Sequence, residues 1–266
     1  MIIHNYTINL PRNEDAIYLE AFCCAHIGTI AHDEEKFNTR LNKVLEDPNR
    51  YLIFLGDAAD AIYPSGNEKR YDADTIDLRF YPPVKAYNYF REKLAPLAKK
   101  NKIVGIHTGN HDDKLRLVSG TDYVKDYVCQ PLGVKYLGWM AYTNLFIKQN
   151  GQKYRYVINS NHGAFTGSRT GGNLNRLEDL GRSYDCDILL RGHTHRIGAL
   201  KTERYELTED GKIITKKQIF ATVGSFHKSM VENVALYSER KDYPPLKTGS
   251  ITIKIAPKKN DMVAIE

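Results

Sequence analysis

Five short apolar stretches each end in a turn that carries histidine, aspartate, asparagine or cysteine, and this recurrence constrains the fold most. In chain order the turns are CCAHIG, LGDAAD, TGNHDD, NSNHGA and RGHTHR. An apolar run that stops at glycine and polar residues is typical of a buried strand. Strand ends of an α/β protein meet at one edge of a sheet, so side chains distant in sequence converge there. The sequence therefore predicts an α/β fold with one site at its strand ends.

The segments between these strands predict helices. The segment DEEKFNTRLNKVLED has apolar residues at helical spacing, acidic residues at its start and a proline just after its end. Residues 84–100 and the segment GGNLNRLEDLGRSYD predict two further helices. Strands outnumber helices and occur both in crossovers and in consecutive runs. We therefore predict a layered α/β fold with two packed sheets rather than one doubly wound parallel sheet.

The chain has 266 residues, which is enough for one large domain with a sizeable core. Its sequence contains no repeat, low-complexity tract or linker rich in Pro, Gly or Ser, so we expect a single domain over 1–266. Residues near 61–83 and 121–153 are expected to form loop or cap insertions at the rim of the site, where selectivity would be set.

Composition excludes several functional classes. The chain is 42% hydrophobic and 26% charged, which is typical of a globular protein. Its longest apolar runs fall far short of the ~20 residues that a membrane-spanning helix needs, so we expect no membrane contact. The N-terminus lacks a signal-peptide pattern and only four cysteines are present, so we expect the cytoplasm. The net charge of +6 permits a phosphate-bearing partner without selecting one.

Five of the nine histidines lie in the strand-end turns, and they are His26, His111, His162, His193 and His195. Imidazole and oxygen donors together suit Mn, Fe, Zn or Ni, whereas a structural zinc finger needs four paired cysteines or histidines. Each turn alone also has a plain structural interpretation, such as a capping aspartate or two surface histidines. The remaining histidines are interpreted as surface or structural residues, with a reservation for the last, and they are His4, His32, His107 and His227.

In this order the turns resemble the motifs of the calcineurin-like metallophosphoesterase family. That family has Asp-x-His, Gly-Asp-x-x-Asp, Gly-Asn-His-Asp/Glu, a lone His and Gly-His-x-His, and the segment ATVGS resembles a later Gly-Ser turn of the family. The resemblance spans roughly residues 18–226. It implies a sandwich of two mixed β-sheets flanked by helices, with two divalent transition-metal ions at the carboxyl ends of the strands.

Carried over residue by residue, the resemblance implies the metal ligands Cys24, His26, Asp57, Asn110, His162, His193 and His195. Asp57 would bridge the two ions, and Asp112 would lie behind the ligands. His111 would be the general acid, oriented by Asp60, while a metal-bridging hydroxide attacks a phosphoester. A phosphodiester of a nucleotide or a nucleic acid is the favoured substrate. The alternatives are a phosphomonoesterase or a catalytically weak scaffold of the same fold.

The sequence departs from the family pattern at two positions. Cys24 stands where the family has aspartate. Three interpretations are open. Cys24 would bind the metal as a thiolate, which favours Zn or Fe, or it would be a small buried apolar residue that leaves the ion weakly bound. In the third, a carboxylate elsewhere, such as Asp33, takes over the role of the family aspartate. Ala61 follows Asp60 where phosphoprotein phosphatases carry an arginine. That second departure argues against a phosphoprotein phosphatase.

Overall fold

The computed structural model describes residues 1–60, 72–164 and 170–266, and its strands form two six-stranded sheets. The first sheet has the order β1 (Ile2–Asn9), β6 (Met140–Gln149), β7 (Gln152–Asn161), β8 (Ile188–Arg191), β10 (Ile213–Val223) and β9 (Ile197–Leu207). The second has the order β12 (Asp261–Ile265), β11 (Ile251–Ala256), β2 (Ile17–Phe22), β3 (Arg50–Phe54), β4 (Ile103–His107) and β5 (Tyr136–Gly138).

Both sheets are mixed. In the second sheet β2, β3, β4 and β5 run parallel to one another, whereas β11 is antiparallel to both of its neighbours. In the first sheet the β6–β7 and β9–β10 hairpins are antiparallel, and β8 is parallel to both β7 and β10. The prediction of a layered α/β fold with two packed mixed sheets is confirmed.

The helices are α1 (Glu34–Glu46), α2 (Val84–Lys99), α3 (Asn110–Ser119), α4 (Gln130–Leu132), α5 (Thr170–Ser183) and α6 (Tyr237–Arg240), with a π-helix over Val124–Cys129. Asp33 begins α1 by accepting a hydrogen bond from the backbone N–H of Lys36, 3.4 Å away. Glu34 and Glu35 in the first turn and Lys43 in the last turn complement the helix dipole.

Alternating side chains of the central strands divide the core into layers. Ile53 of β3 points into the apolar layer between the two sheets, while its neighbours Leu52 and Phe54 point to the outer face. There Phe37 of α1 and Phe90 of α2 cover the second sheet. Each such buried side chain contributes about 1.5–3 kcal/mol relative to an exposed one.

Helix α5 covers the outer face of the first sheet, so helices flank both sheets. Its Leu177 packs with Leu189 of β8 and Phe220 of β10. Among the helices of the described residues, none combines the length and the apolar character that a bilayer-spanning segment needs.

The segments expected to form rim loops differ in their structure. Residues 61–71 lie outside the described residues, and 72–83 contain two short 3₁₀ turns, Ala73–Thr75 and Leu78–Phe80. Within 121–153 the expectation is wrong for β6, which pairs with β1 and β7 inside the first sheet. Its buried positions alternate with more exposed ones, so it is a half-buried strand rather than a loop.

Candidate metal centre

The predicted site residues meet where the strand ends of the two sheets come together. Strands β2, β3 and β4 are parallel neighbours, so the turns after them share one edge of the second sheet. The turns after the parallel strands β7 and β8 approach this edge from the first sheet. Together these five turns supply Cys24, His26, Asp57, Asp60, Asn110, His111, His162, His193 and His195.

The backbone at this site is unusual. Five predicted ligands have positive φ angles between 48° and 68°, and they are Cys24, His26, Asp57, His193 and His195. The other non-glycine residues with positive φ in the described chain are all asparagine or aspartate, which tolerate this conformation. A left-handed histidine or cysteine costs of order 1–3 kcal/mol and persists where the surroundings impose it. Such strain is typical of a functional site.

Glycines allow the turns to pack against each other. A side chain at Gly109 would place its Cβ 2.1 Å from Oδ1 of Asp57, and one at Gly56 would lie 2.6 Å from the backbone of Thr108. Gly56 also has a φ of +93°, which side chains rarely adopt. The turns that carry Asp57 and Asn110 therefore touch through their backbones.

One group of donors surrounds the ring of His162. Nδ1 of His162 donates a hydrogen bond to the backbone oxygen of Leu55 at 2.6 Å, which leaves Nε2 as the free nitrogen. That Nε2 lies 2.9 Å from Oδ1 of Asn110 and 3.2 Å from Oδ2 of Asp57. His193 belongs to the same group of potential ligands as Asp57 and His162. Three acceptor atoms converge here, so a cation must lie between them, either a proton on Nε2 or a metal ion.

The pKa of His162 also indicates that its surroundings favour a positive charge. Burial alone would lower it, but the charge of Asp57 and the neighbouring thiol of Cys23 raise the pKa well above its ordinary value. The carboxyl of Asp57 responds in the opposite sense. Burial would raise its pKa, but His162 and His111 hold the pKa well below the usual range. Asp57 is therefore a carboxylate at neutral pH.

A second group of donors contains Cys24, His26 and His195, whose ligand atoms all lie within 4.8 Å of one another. Nε2 of His26 is 3.1 Å from Nε2 of His195 and 3.8 Å from Oδ2 of Asp57. Burial and the adjacent His26 lower the pKa of His195 well below its ordinary value, so its imidazole is neutral at neutral pH. Because Asp57 borders both groups, it is placed to be shared between them.

Cys24 is fully buried, and a later turn fixes its backbone. Its carbonyl oxygen accepts hydrogen bonds from the backbone N–H of Phe226 and from the hydroxyl of Ser225, both at 3.0 Å. Its sulfur lies 3.1 Å from the sulfur of Cys23. Burial and the neighbouring Cys23 raise the pKa of the Cys24 thiol, so it is protonated without a cation beside it. Asp33 instead caps α1 and accepts from Thr248, which does not support it as a replacement carboxylate.

His111 and Asp60 form a pair beside the two donor groups. Nδ1 of His111 donates to Oδ1 of Asp60 at 2.6 Å, and the backbone N–H of His111 donates to Oδ1 of Asp57 at 2.9 Å. Burial would lower the pKa of His111, but the carboxylates of Asp57 and Asp60 raise it above 6.5. His111 therefore holds a proton more firmly than a histidine in water does.

Asp112 has a scaffolding position. Its carboxyl accepts hydrogen bonds from the backbone of Gly109, Ala58 and Ala59 and from the hydroxyl of Tyr87. Burial and the charge of Asp57 raise the pKa of Asp112 to about 6. With its oxygens used in this way, Asp112 joins the start of α3 to the turn that carries Asp57.

His227, which the sequence placed among the surface or structural histidines with a reservation, lies beside the predicted ligands. The ring centroid of His227 lies 5.1 Å from that of His26 and 5.7 Å from that of His195, so His227 adjoins the second donor group. The Gly-Ser turn just before it was the available signal. The other three histidines have no place in either donor group. Among them His107 is fully buried and hydrogen-bonded through both ring nitrogens, which makes it structural.

The donor set fits divalent transition-metal ions. It combines imidazole nitrogens with a carboxylate, an amide oxygen and a thiol, which is the chemistry that Zn, Fe, Mn and Ni accept. At His162 a nitrogen and two oxygens converge on a point that a cation can occupy, and the buried Nδ1 of His26 has no hydrogen-bond partner among the described residues. The arrangement can hold metal next to a histidine that carries a proton.

Comparison with known proteins gives one family. The family model described as calcineurin-like phosphoesterase matches residues 25–196, which is more than half of the chain. A search of curated protein sequences found no match to this chain. Similar solved structures include Zn²⁺-bound Vps29 from Entamoeba histolytica, at 12% identity and a TM-score of 0.43, covering 94% of this chain and 97% of that one. A metallophosphoesterase from Sphaerobacter thermophilus is 9% identical with a TM-score of 0.36, covering 94% of this chain and 89% of that one.

A third similar structure is an uncharacterised protein from Streptococcus pneumoniae, described as a predicted phosphoesterase. It is 12% identical with a TM-score of 0.36, and the match covers 91% of this chain and 84% of that one. At such identities the likeness concerns the fold alone.

Proposed function

The chain belongs to the calcineurin-like phosphoesterase family, and on that premise we propose that it is a metal-dependent hydrolase that cleaves a phosphodiester of a nucleotide or a nucleic acid. The observation that carries this proposal is the convergence at His162. Its free Nε2 meets the oxygens of Asn110 and Asp57 at 2.9 and 3.2 Å, with the proton-bearing His111 alongside. Cation-binding donors and a proton donor are the two parts that phosphoester hydrolysis needs.

We propose two metal positions that share Asp57. One is held by Cys24, His26 and His195, and the other by Asn110, His162 and His193. When bound, two divalent ions supply Lewis-acid charge for the phosphoryl oxygens and a water of lowered pKa. A thiolate ligand from Cys24 makes the first of these metal positions favour Zn or Fe over Mn. Most ligands are neutral, so the loaded site keeps the net positive charge that an anionic phosphoester needs.

In this proposal His111 gives its proton to the departing oxygen. Nδ1 donates to Asp60, which leaves Nε2 as the atom that delivers the proton. Burial opposes the shift, but the carboxylates of Asp57 and Asp60 raise the pKa of His111, which favours the protonated form that a general acid needs. Asp60 fixes the ring and stabilises the imidazolium, and proton donation of this kind contributes ~10²–10⁴ in rate.

The charges around the site favour a diester over a monoester. A monoester carries more negative charge, and phosphoprotein phosphatases meet it with an arginine, where this sequence has Ala61 after Asp60. In the described part of the chain, the carboxylates of Asp57 and Asp60 form ion pairs with histidines and with no lysine or arginine. A diester carries a single negative charge, so such a site needs less positive charge to bind it.

A metal-by-substrate panel tests the proposed reaction. We expect bis(p-nitrophenyl) phosphate to be hydrolysed faster than p-nitrophenyl phosphate when Mn, Zn, Fe or Ni is added. With a dinucleotide, whose alkoxide leaving group needs a proton, His111→Gln should lower kcat by ~10²–10⁴ with little change in KM, because the proton is needed only in the transition state. Asp57→Asn should abolish activity. Wild-type activity in both variants would show that the reaction occurs elsewhere.

Cys24→Asp tests the altered ligand. Aspartate tolerates the φ of 52° at this position and supplies a harder oxygen donor, so we expect Mn-dependent activity to be kept or raised. Cys24→Ala is the matched control that removes the donor without replacing it. If Cys24→Asp folds and binds metal but is inactive, the thiolate has a specific role in the reaction.

A scaffold that binds partners without catalysis is the second candidate function. The observation that favours it is Cys24, which replaces a family ligand with a buried thiol. Metal analysis separates the two functions. Ions bound at both positions support the hydrolase, whereas empty sites and no activity under added Mn, Zn or Ni support the scaffold.

A further inference from the structure

The only tryptophan of the chain lies beside the metal centre. Trp139 follows β5, and 43% of its surface is exposed. Its ring centroid lies 6.3 Å from that of His162, with the two planes at 68°. Large aromatic rings are mostly buried, and leaving one half-exposed costs apolar burial that the fold otherwise gains. An exposed tryptophan next to a site for charged ligands therefore needs an explanation.

The backbone around Trp139 is fixed to the same turns that carry the site. The carbonyl oxygen of Trp139 accepts the backbone N–H of His162 at 3.3 Å. The carbonyl oxygen of the preceding residue, Gly138, accepts from the backbone N–H of Thr108 at 3.2 Å and from Nδ1 of His107 at 2.8 Å. Thr108 precedes Asn110 by two residues. These bonds fix the position of Trp139 relative to the turns that carry Asn110 and His162.

The indole N–H makes no hydrogen bond within the described part of the protein. Over residues 1–60, 72–164 and 170–266, the one aromatic contact of the indole is with His162. The half-exposed indole therefore offers aromatic surface and a free N–H donor next to His162. Stacking against a planar group is the interaction that such a surface offers.

We propose that Trp139 is the stacking platform for a nucleobase, so that the site takes nucleotide esters. This inference rests on the proposed function, because the phosphate must be held at Asn110 and His162. A nucleobase is joined to its 5′-phosphate through one sugar, so a phosphate held there brings the base within reach of the neighbouring indole. Stacking is tolerant of sequence, since every base has a π-face.

Intrinsic fluorescence tests the contact directly, because Trp139 is the sole source of tryptophan emission. The metal-loaded protein is titrated with AMP and, as the matched ligand without a base, with ribose 5-phosphate. We expect AMP to quench the emission in a saturable way and ribose 5-phosphate to leave it nearly unchanged. Equal responses to the two ligands, or no response to AMP, would overturn the proposal.

Kinetics with paired substrates separates this inference from the proposed function. Thymidine 5′-p-nitrophenyl phosphate and methyl p-nitrophenyl phosphate share a leaving group and differ in the nucleoside. Trp139→Ala should raise KM for the thymidine ester roughly 5- to 150-fold and leave the methyl ester unaffected. Trp139→Phe should keep most of the affinity. Tyr205→Ala, which removes an aromatic ring that is 82% exposed on β9, should change neither substrate.

Two results would contradict the stacking role. If Trp139→Ala affects both esters equally, the residue supports the structure of the site rather than the base. If Trp139→Ala affects neither ester, the base does not bind at Trp139, and the proposed phosphodiesterase activity is unaffected by that result. If wild-type protein hydrolyses neither ester, the proposed function fails, and the AMP titration still decides whether a base stacks on Trp139.

Discussion

Buried His107 should make the fold sensitive to acid. Its side chain is fully buried, donates from Nδ1 to the backbone oxygen of Gly138 and accepts at Nε2 from the hydroxyl of Ser160, each at 2.8 Å. A second proton on Nε2 would reverse the hydrogen bond with Ser160, so that the hydroxyl accepts instead of donating, and would place a charge in the core. Burial therefore lowers the pKa of His107 from 6.5 to about 3, although its bond to Gly138 opposes the change.

The sign and size of the effect follow from this pKa. Between about pH 3 and 6.5 the unfolded chain binds a proton at His107 and the folded chain does not, so stability falls as the pH drops below 6.5. Each unit below that value contributes about 1.4 kcal/mol, so His107 alone should remove roughly 2 kcal/mol of unfolding free energy between pH 8 and pH 5.

Urea unfolding followed by circular dichroism at pH 8 and pH 5 measures this difference in wild type and in His107→Gln. Glutamine does not titrate, and its amide can still donate to Gly138. Both proteins are stripped of metal, so that the titration of the ligand histidines contributes equally. Wild type should lose roughly 2 kcal/mol more than the variant. Equal losses would refute the argument that His107 is held neutral.

Two further predictions concern the close approach of Gly109 to Asp57 and the buried ion pair of Arg50 with Glu20. Gly109→Ala would place a Cβ 2.1 Å from Oδ1 of Asp57, so we expect metal content to fall sharply in a protein that still folds, and wild-type loading would contradict the close approach. Arg50→Met removes the partner 2.5 Å from the buried carboxylate of Glu20 and should cost about 3–5 kcal/mol in chemical denaturation. Adding Glu20→Met should recover much of that loss, and a single variant as stable as the double variant would show that the ion pair is unimportant.

The sequence predicts the parts of the fold that depend on local pattern. Apolar runs that stop at Asp57, Asn110 and His193 mark strand ends, and their order carries the family resemblance. The apolar spacing of Phe37 and Leu41 likewise predicts α1, because one helix face must be buried. These features depend on neighbouring residues and are visible without the tertiary structure.

Features that depend on distant contacts were not predictable. His107 and His111 both follow the same apolar run, yet one is buried with both nitrogens bonded and the other is paired with Asp60. Contacts with two distant strands distinguish them, because His107 bonds to Gly138 of β5 and to Ser160 of β7. Trp139 likewise has no local signal, since its position beside His162 arises where β5 passes into β6 and meets the end of β7.

Metal analysis of the purified protein tests the central claim most directly. Wild type should bind about two divalent transition-metal ions per chain, because two groups of donors adjoin Asp57. Asp57→Asn should lose both ions together, since the shared carboxylate offsets their mutual repulsion. A wild-type chain that binds no transition metal, or a variant that keeps both ions, would contradict a metal pair held across Asp57.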